Sequence, residues 1–380
     1  MNLDRSWISQ AASTIAEHAE RELEALVGIS TPSGDAAGAE EAVALCAALL
    51  PLEVAIERIE CSSPDHAPDL LARVSGTGAK RILLLGHLDT VVAHGEHRPL
   101  EREGERLVGS GTVDMKGGIV LALGLLRALA GAADSFAEIA LLAVNDEEWR
   151  TGPLAHSPLF EGYDACLCFE GGQLGPNGEE AVVVRRKAAG TLRVSAQGVA
   201  AHSGAAPELG RNALLALAEA ARRVDALSDP DGPRRLTAIP TVLRSGEAFN
   251  VVPAAGELIC DLRANSLDAF GPVLEAVPAE HEGVRLNAEL VRRWPGMDTT
   301  EPATPVLGAA AELLGRAVIA AERGGASDAS HLAGHVPLTL DGLGPLGGAA
   351  HNPDEFILRE SLRTRAEVAL ALAAAVLAER

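Results

Sequence analysis

The sequence predicts an α/β fold: a mostly parallel sheet flanked by helices, with a smaller α+β domain inserted into it. Three observations lead there. Short apolar runs alternate with helical stretches in the first half. Acidic residues and a histidine stand where those runs end, the place where such sheets bind ligands. After Gly171-Gly172 the texture changes to strands of alternating polarity.

Taken in order, residues 81–85 (Arg-Ile-Leu-Leu-Leu) read as a buried strand, 115–130 as a helix, 138–144 as a second strand and 165–169 as a third. The turn-rich Gly175-Pro176-Asn177-Gly178 then precedes strands at 191–195, 238–243 and 257–263, with a helix over 212–224 between them. About a hundred residues of β-α-β pattern make a unit of domain size. His351, needed to complete the ligand set described below, lies beyond this unit, so the unit is expected to be an insertion. The predicted division is 1–186 and 294–380 for the larger domain and 187–293 for the insertion, with a C-terminal helix over 362–378.

The chain has 380 residues, 47% of them hydrophobic, enough for one large core or two smaller ones. A formal charge of −21, with lysine only at positions 80, 116 and 187, repels phosphate backbones and anionic membrane surfaces. Neither nucleic acid nor membrane is expected as a partner. Residues 1–20 intersperse Asp4, Arg5, Glu17 and Glu20 among apolar residues and lack the apolar stretch of a leader, which predicts a cytoplasmic protein. The five cysteines (Cys46, Cys61, Cys166, Cys168, Cys260) have neither zinc-knuckle nor redox spacing and read as buried thiols.

The chemistry is carried by five segments: Gly86-His87-Leu88-Asp89-Thr90, Gly111-Thr112-Val113-Asp114-Met115-Lys116-Gly117-Gly118, Asn145-Asp146-Glu147-Glu148, Glu170, and His351. A pair of divalent ions needs a bridging carboxylate, a nitrogen and a carboxylate for each ion, and one unligated base for the water between them. These segments supply that count. His87 and Asp89 share one side of an extended segment, so the carboxylate can hold one ring nitrogen while the other faces a metal. Asp114, after a glycine-rich turn, is the natural bridge, with an N-cap role as its alternative. Glu147 and Glu148 diverge at a strand end, one as base and one as ligand. Each element alone has an ordinary explanation as a solvated acid or an exposed loop histidine; five in order do not.

With these motifs the chain resembles, over nearly its whole length, the zinc-dependent exopeptidase and deacylase family that includes glutamate carboxypeptidase, acetylornithine deacetylase, succinyl-diaminopimelate desuccinylase and aminoacylase. The glutamate carboxypeptidase branch is the most similar. The resemblance implies one zinc held by His87, Asp114 and Glu170 and another by Asp114, Glu148 and His351, with cobalt or manganese as substitutes and a cis peptide at Asp114-Met115. It implies a homodimer whose inserted domain is both dimerisation surface and lid. By the same resemblance, His202 in Ala200-Ala201-His202-Ser203-Gly204 would reach the partner's site and stabilise an oxyanion. Asn250, Arg263 and Gly325 would bind substrate, Arg263 as a clamp for a free carboxylate, with an ion pair to Asp261 or Glu257 as its alternative. The expected reaction is amide hydrolysis of an N-acyl amino acid or short peptide. Removal of an acetyl or succinyl group from a biosynthetic intermediate is the second reading, and a non-catalytic scaffold the third. One departure stands out: Trp149-Arg150 follows Glu148 where relatives have a small glycine-containing loop, which is expected to reshape the acyl side of the pocket.

Overall fold

The central sheet has six strands in the order Ala55–Ile59, Asp69–Ser75, Glu138–Val144, Arg81–His87, Ala165–Cys168, Thr339–Leu340. The computed structural model describes residues 3–378. Four neighbouring strands, from Glu138–Val144 to Thr339–Leu340, are parallel, and Asp69–Ser75 and Ala55–Ile59 extend them antiparallel at one edge. That antiparallel edge was not legible in the apolar runs. It is compatible with an otherwise parallel sheet because an edge strand need not be covered on both faces. The inner strands are buried almost end to end, Ile82–Leu85 and Ile139–Val144 without exposure, as a sheet covered on both faces requires.

The helices Arg5–Val27, Gly117–Ala130 and Ser361–Ala378 pack on one another over one face of this sheet. Gly118 makes that packing close: a Cβ there would meet the Phe169 carbonyl oxygen at 1.9 Å. The first of the three helices, capped by Asp4 accepting the Ser6 and Trp7 amides, was not expected from the mixed pattern of 1–20. No helix among the described residues is long and apolar enough to cross a membrane. All five cysteines are free and buried.

A second, antiparallel sheet runs in the order Thr237–Ser245, Ala255–Ala264, Ala188–Gln197, Val284–Trp294, Glu280–His281. Its inward positions alternate with outward ones and pack against the helix Ala213–Asp225, giving a separate apolar cluster that includes Leu192, Val194, Leu217 and Phe270. Asn212 caps that helix by accepting the Leu214 and Leu215 amides. Trp294, at the end of the last long strand, is fully buried and donates its indole N–H to the Arg150 carbonyl at 3.1 Å, joining this sheet to the loop after Glu148.

Candidate active site

Parallel strands put their carboxyl ends on one rim, and the candidate ligands stand there. His87 ends the strand Arg81–His87, Glu147 and Glu148 follow Glu138–Val144, and Glu170 follows Ala165–Cys168. Asp114 comes from the loop before the helix Gly117–Ala130, and His351 from the loop between Gly347–Gly348 and Phe356–Leu358. Asp114 has extended backbone (φ −128°, ψ 89°) and the peptide Asp114-Met115 is cis. The helix cap is Lys116, so the N-cap alternative for Asp114 does not hold.

The two carboxylate oxygens of Asp114 face different imidazoles: Oδ1 lies 3.1 Å from His87 Nε2 and Oδ2 lies 3.2 Å from His351 Nε2. His351 Nε2 also lies 3.2 Å from Glu148 Oε2, and His87 Nε2 lies 3.9 Å from Glu170 Oε1. Ligand atoms of His87, Asp114 and Glu148 fall within 4.8 Å of one another. Behind them, Asp89 does two things. Its backbone carbonyl and Oδ1 lie 3.0 and 3.3 Å from His87 Nδ1, leaving Nε2 to face the centre. Its carboxylate accepts the backbone N–H groups of Glu147 and Glu148, each at 3.1 Å, which ties both residues to the segment that follows the His87 strand.

The electrostatics call for positive charge. Burial first, then the like charges of Glu170, Glu148 and Asp114 working against His87, push Glu147 well above the usual carboxylate range. Burial and then Asp114 push Glu170 up to about 8. Glu148 is raised by burial despite its hydrogen bond to His351, and its Oε1 is buried without a partner. Asp114 overcomes burial through His351 and His87 and is held well below its ordinary value. Three crowded carboxyls, an orphaned buried oxygen and two Nε2 atoms aimed at one carboxylate fit a divalent cation of the kind that takes mixed nitrogen and oxygen ligands.

The cavity over this cluster, about 280 Å³, is lined by Asp114, Glu147, Glu148, Glu170 and His351 together with Val91, Trp149, Arg263, Arg292 and Ala326. Arg263 and Arg292 come from the antiparallel sheet, so the second unit walls the site of its own chain. Arg263 already forks onto Asp261, both hydrogen bonds at 3.0 Å, the ion pair its sequence position allowed. Gly325 accepts at its carbonyl from Arg186 Nη1 at 2.8 Å, and its neighbour Ala326 reaches the cavity. His202 and Asn250 are exposed and lie outside this cavity, side by side where Ala201–His202 pairs with Val251–Val252. A larger groove of about 610 Å³ between the helices Arg5–Val27 and Gly117–Ala130 lies elsewhere and contains none of these ligands.

The Trp149-Arg150 departure divides in two. Trp149 is 62% exposed and lines the cavity, whereas Arg150 is buried, paired with Asp146 at 2.7 Å and with Asp328. Sequence reasoning missed Arg292, and gave no role to Glu355, whose carboxylate accepts the backbone N–H groups of Gly111, Val113 and Asp114 at 2.9, 2.7 and 2.9 Å. The only signal for Glu355 was its place four residues after His351.

The profile of Peptidase family M20/M25/M40 matches residues 83–375. Carboxypeptidase G2 of Pseudomonas sp. (strain RS-16) is 30% identical over 277 residues, covering 70% of this chain, which spans only 65% of that protein's length. Succinyl-diaminopimelate desuccinylase of Rhodospirillum rubrum is 29% identical over 339 residues, covering 80% of this chain and 84% of that protein. The crystal structure of an aminopeptidase from Bacillus cereus superposes with a TM-score of 0.75 at 21% identity, over 95% of this chain and 98% of that one, a likeness of fold.

Proposed function

The chain belongs to peptidase family M20/M25/M40, and from that premise we propose that it is a two-zinc amidohydrolase. Its substrate is an N-acyl or peptidyl amino acid with a free carboxylate, in the manner of a glutamate carboxypeptidase. The observation that carries this reading is Asp114, with one oxygen toward His87 and the other toward His351, beside the adjacent pair Glu147 and Glu148.

In this reading His87, Asp114 and Glu170 would hold one ion and Asp114, Glu148 and His351 the other. The chemistry such ions would supply when bound is polarisation of the amide carbonyl, a lowered pKa of water and positive charge to offset the crowding that raises Glu147. Glu147 takes the proton of the attacking water and passes it to the leaving amine. Asp89 fixes the His87 ring and, through the Glu147 amide, the base. Arg263, Asn250 and the backbone amides of the turn containing Gly325 bind the substrate, and residues 187–293 act as lid and dimerisation surface. His202 of each protomer serves the partner's oxyanion. Exposed Val199, Leu209, Leu215 and Phe249 on that unit support a homodimer, and five free thiols fit a cytoplasmic setting.

A deacetylase or desuccinylase of a biosynthetic N-acyl amino acid is the second reading, favoured by the longer match to the Rhodospirillum rubrum desuccinylase and by the small cavity. Hydrolysis of a panel of N-acyl glutamates, dipeptides, acetylornithine and succinyl-diaminopimelate by zinc-loaded protein separates the two. Cleavage biased to glutamate at the free-carboxylate end supports the first; preference for a small acyl group on a basic amino acid supports the second. Full zinc occupancy without hydrolysis of any member removes both.

A further inference from the structure

Arg150 is buried to 2% exposure, and its contacts reach three separate elements. Its amide donates to the Asp146 carbonyl at 2.9 Å and its Nη1 to Asp146 Oδ1 at 2.7 Å, so it closes the turn 146–150 in which Glu147 sits. Its Nη2 pairs with Asp328, the first residue of the short helix Asp328–Leu332. Its carbonyl accepts the indole N–H of Trp294 at 3.1 Å, and the Arg293 amide donates to the next carbonyl, that of Thr151, at 3.4 Å. Arg293 and Trp294 end the strand by which the chain leaves the antiparallel sheet. The Trp294 ring closes the set, with its centre 5.0 Å from the Arg150 guanidinium carbon and 4.8 Å from the centre of the His331 ring on the short helix.

A buried guanidinium between two carboxylates adds little stability over apolar packing of the same volume. What the planar fork adds is direction, because its N–H groups fix each carboxylate at a set angle. At the start of the turn Asp89 holds the Glu147 and Glu148 amides, and the Ser63 amide holds Asp146 Oδ2 at 2.8 Å. Arg150 and Trp294 fix its end, and neither lines the cavity.

We infer that Arg150 and Trp294 are positioning residues for Glu147: they lock the turn that carries it onto the last strand of the antiparallel sheet and onto the helix Asp328–Leu332. This rests on the reading of Glu147 as the base. A general base works only within hydrogen-bond reach of the proton it takes, and a misplacement of about 1 Å can cost about 100-fold in rate.

The test uses the zinc-loaded full chain as wild type, R150K, W294F and R150M/D328N, each at a temperature where its unfolding curve shows it folded. The double variant removes the pair with Asp328 without leaving that charge unpaired, lysine keeps the charge without the fork, and phenylalanine keeps a ring without the indole N–H. Measured are kcat and KM on the panel member that wild type hydrolyses fastest, zinc per chain, and amide hydrogen exchange along the chain. The expected result for R150M/D328N is kcat lowered roughly 10- to 100-fold with KM changed far less and zinc per chain unchanged. Partial recovery is expected in R150K, a smaller kcat loss in W294F, and in both W294F and the double variant faster exchange confined to 146–151. A merely structural role lowers stability and leaves kcat of the folded protein alone. Unchanged kcat, kcat lost in step with zinc, or exchange raised evenly over the chain overturns the inference. If the double variant does not fold, R150K and W294F are judged by the same criteria. If wild type hydrolyses no panel member, or Glu147→Gln is as active as wild type, the reading of the site fails instead, and hydrogen exchange still decides the joint: faster exchange confined to 146–151 supports it, and unchanged exchange overturns it.

Discussion

Glu355 accepts the backbone N–H of Asp114 at 2.9 Å, so the loop carrying His351 directly holds the loop carrying the residue that faces both histidines. The same carboxylate takes the Gly111 and Val113 amides, and burial pushes its pKa up to about 7 against these three donors. Glu355→Ala leaves three N–H groups without their acceptor, each costing about 1–3 kcal/mol. The variant is expected to unfold at clearly lower denaturant and to retain less zinc. Glu355→Gln keeps Oε1 for Val113 and Asp114 but sets an amide NH₂ against Gly111, so its loss should be smaller. Equal stability of all three proteins in urea titrations would remove Glu355 from this role.

In the proposed site Glu147 serves as the base and not as a ligand, which separates turnover from metal content. Glu147→Gln is expected to lower kcat by at least about 10²-fold, in the range for a lost general base, while zinc per chain stays near the wild-type value. His351→Ala should instead lose one ion. Retained turnover in Glu147→Gln, or zinc lost with it, would contradict the assignment.

Asp114 and then Glu148 hold a proton on His351 up to about 10, against the effect of its partial burial. Because this lies above the 6.5 of a free imidazole, the charged pairs stabilise the metal-free chain fully below pH 6.5, and the contribution is lost as pH rises toward 10. Zinc takes the neutral ring, so its binding expels that proton, and zinc affinity should rise across the same window. Glu170, pushed up to about 8, adds a second proton at neutral pH. Calorimetry in buffers of different ionisation enthalpy should show more than one proton released per chain at pH 7; none released would refute the ligand roles of His351 and Glu170.

Trp149 and Arg150 are neighbours with different consequences. Arg150→Ala abandons Asp146 and Asp328 in the interior and should cost about 3–5 kcal/mol of stability. Trp149→Ala removes an exposed side chain and is expected to leave stability within about 0.5 kcal/mol while changing KM values across acyl groups. Unfolding curves and substrate profiles of the two variants check the contrast.

What could be read in the sequence had local causes. The apolar runs before His87, Glu147 and Glu170 disclose strands, and a parallel sheet places their ends together without further information. The antiparallel edge escaped because Ala55–Ile59 is exposed almost throughout and because Asp69 and Arg73 interrupt the buried apolar run of Asp69–Ser75. Glu355 escaped for another reason. Its hydrogen bonds reach partners 241 to 244 residues away, which no spacing reveals. Arg263 shows the converse: the ion pair with Asp261 two residues away was legible, and it forms.

In the proposed site a pair of metal ions is bridged by Asp114 and serves Glu147. Zinc titrated into metal-free protein, with bound zinc and hydrolysis of an N-acyl glutamate followed together, tests it most directly. Binding is expected to saturate at two zinc ions per chain, with full activity reached only with both and both ions lost in Asp114→Ala. Saturation at one ion with full activity, or two ions retained by Asp114→Ala, would contradict it.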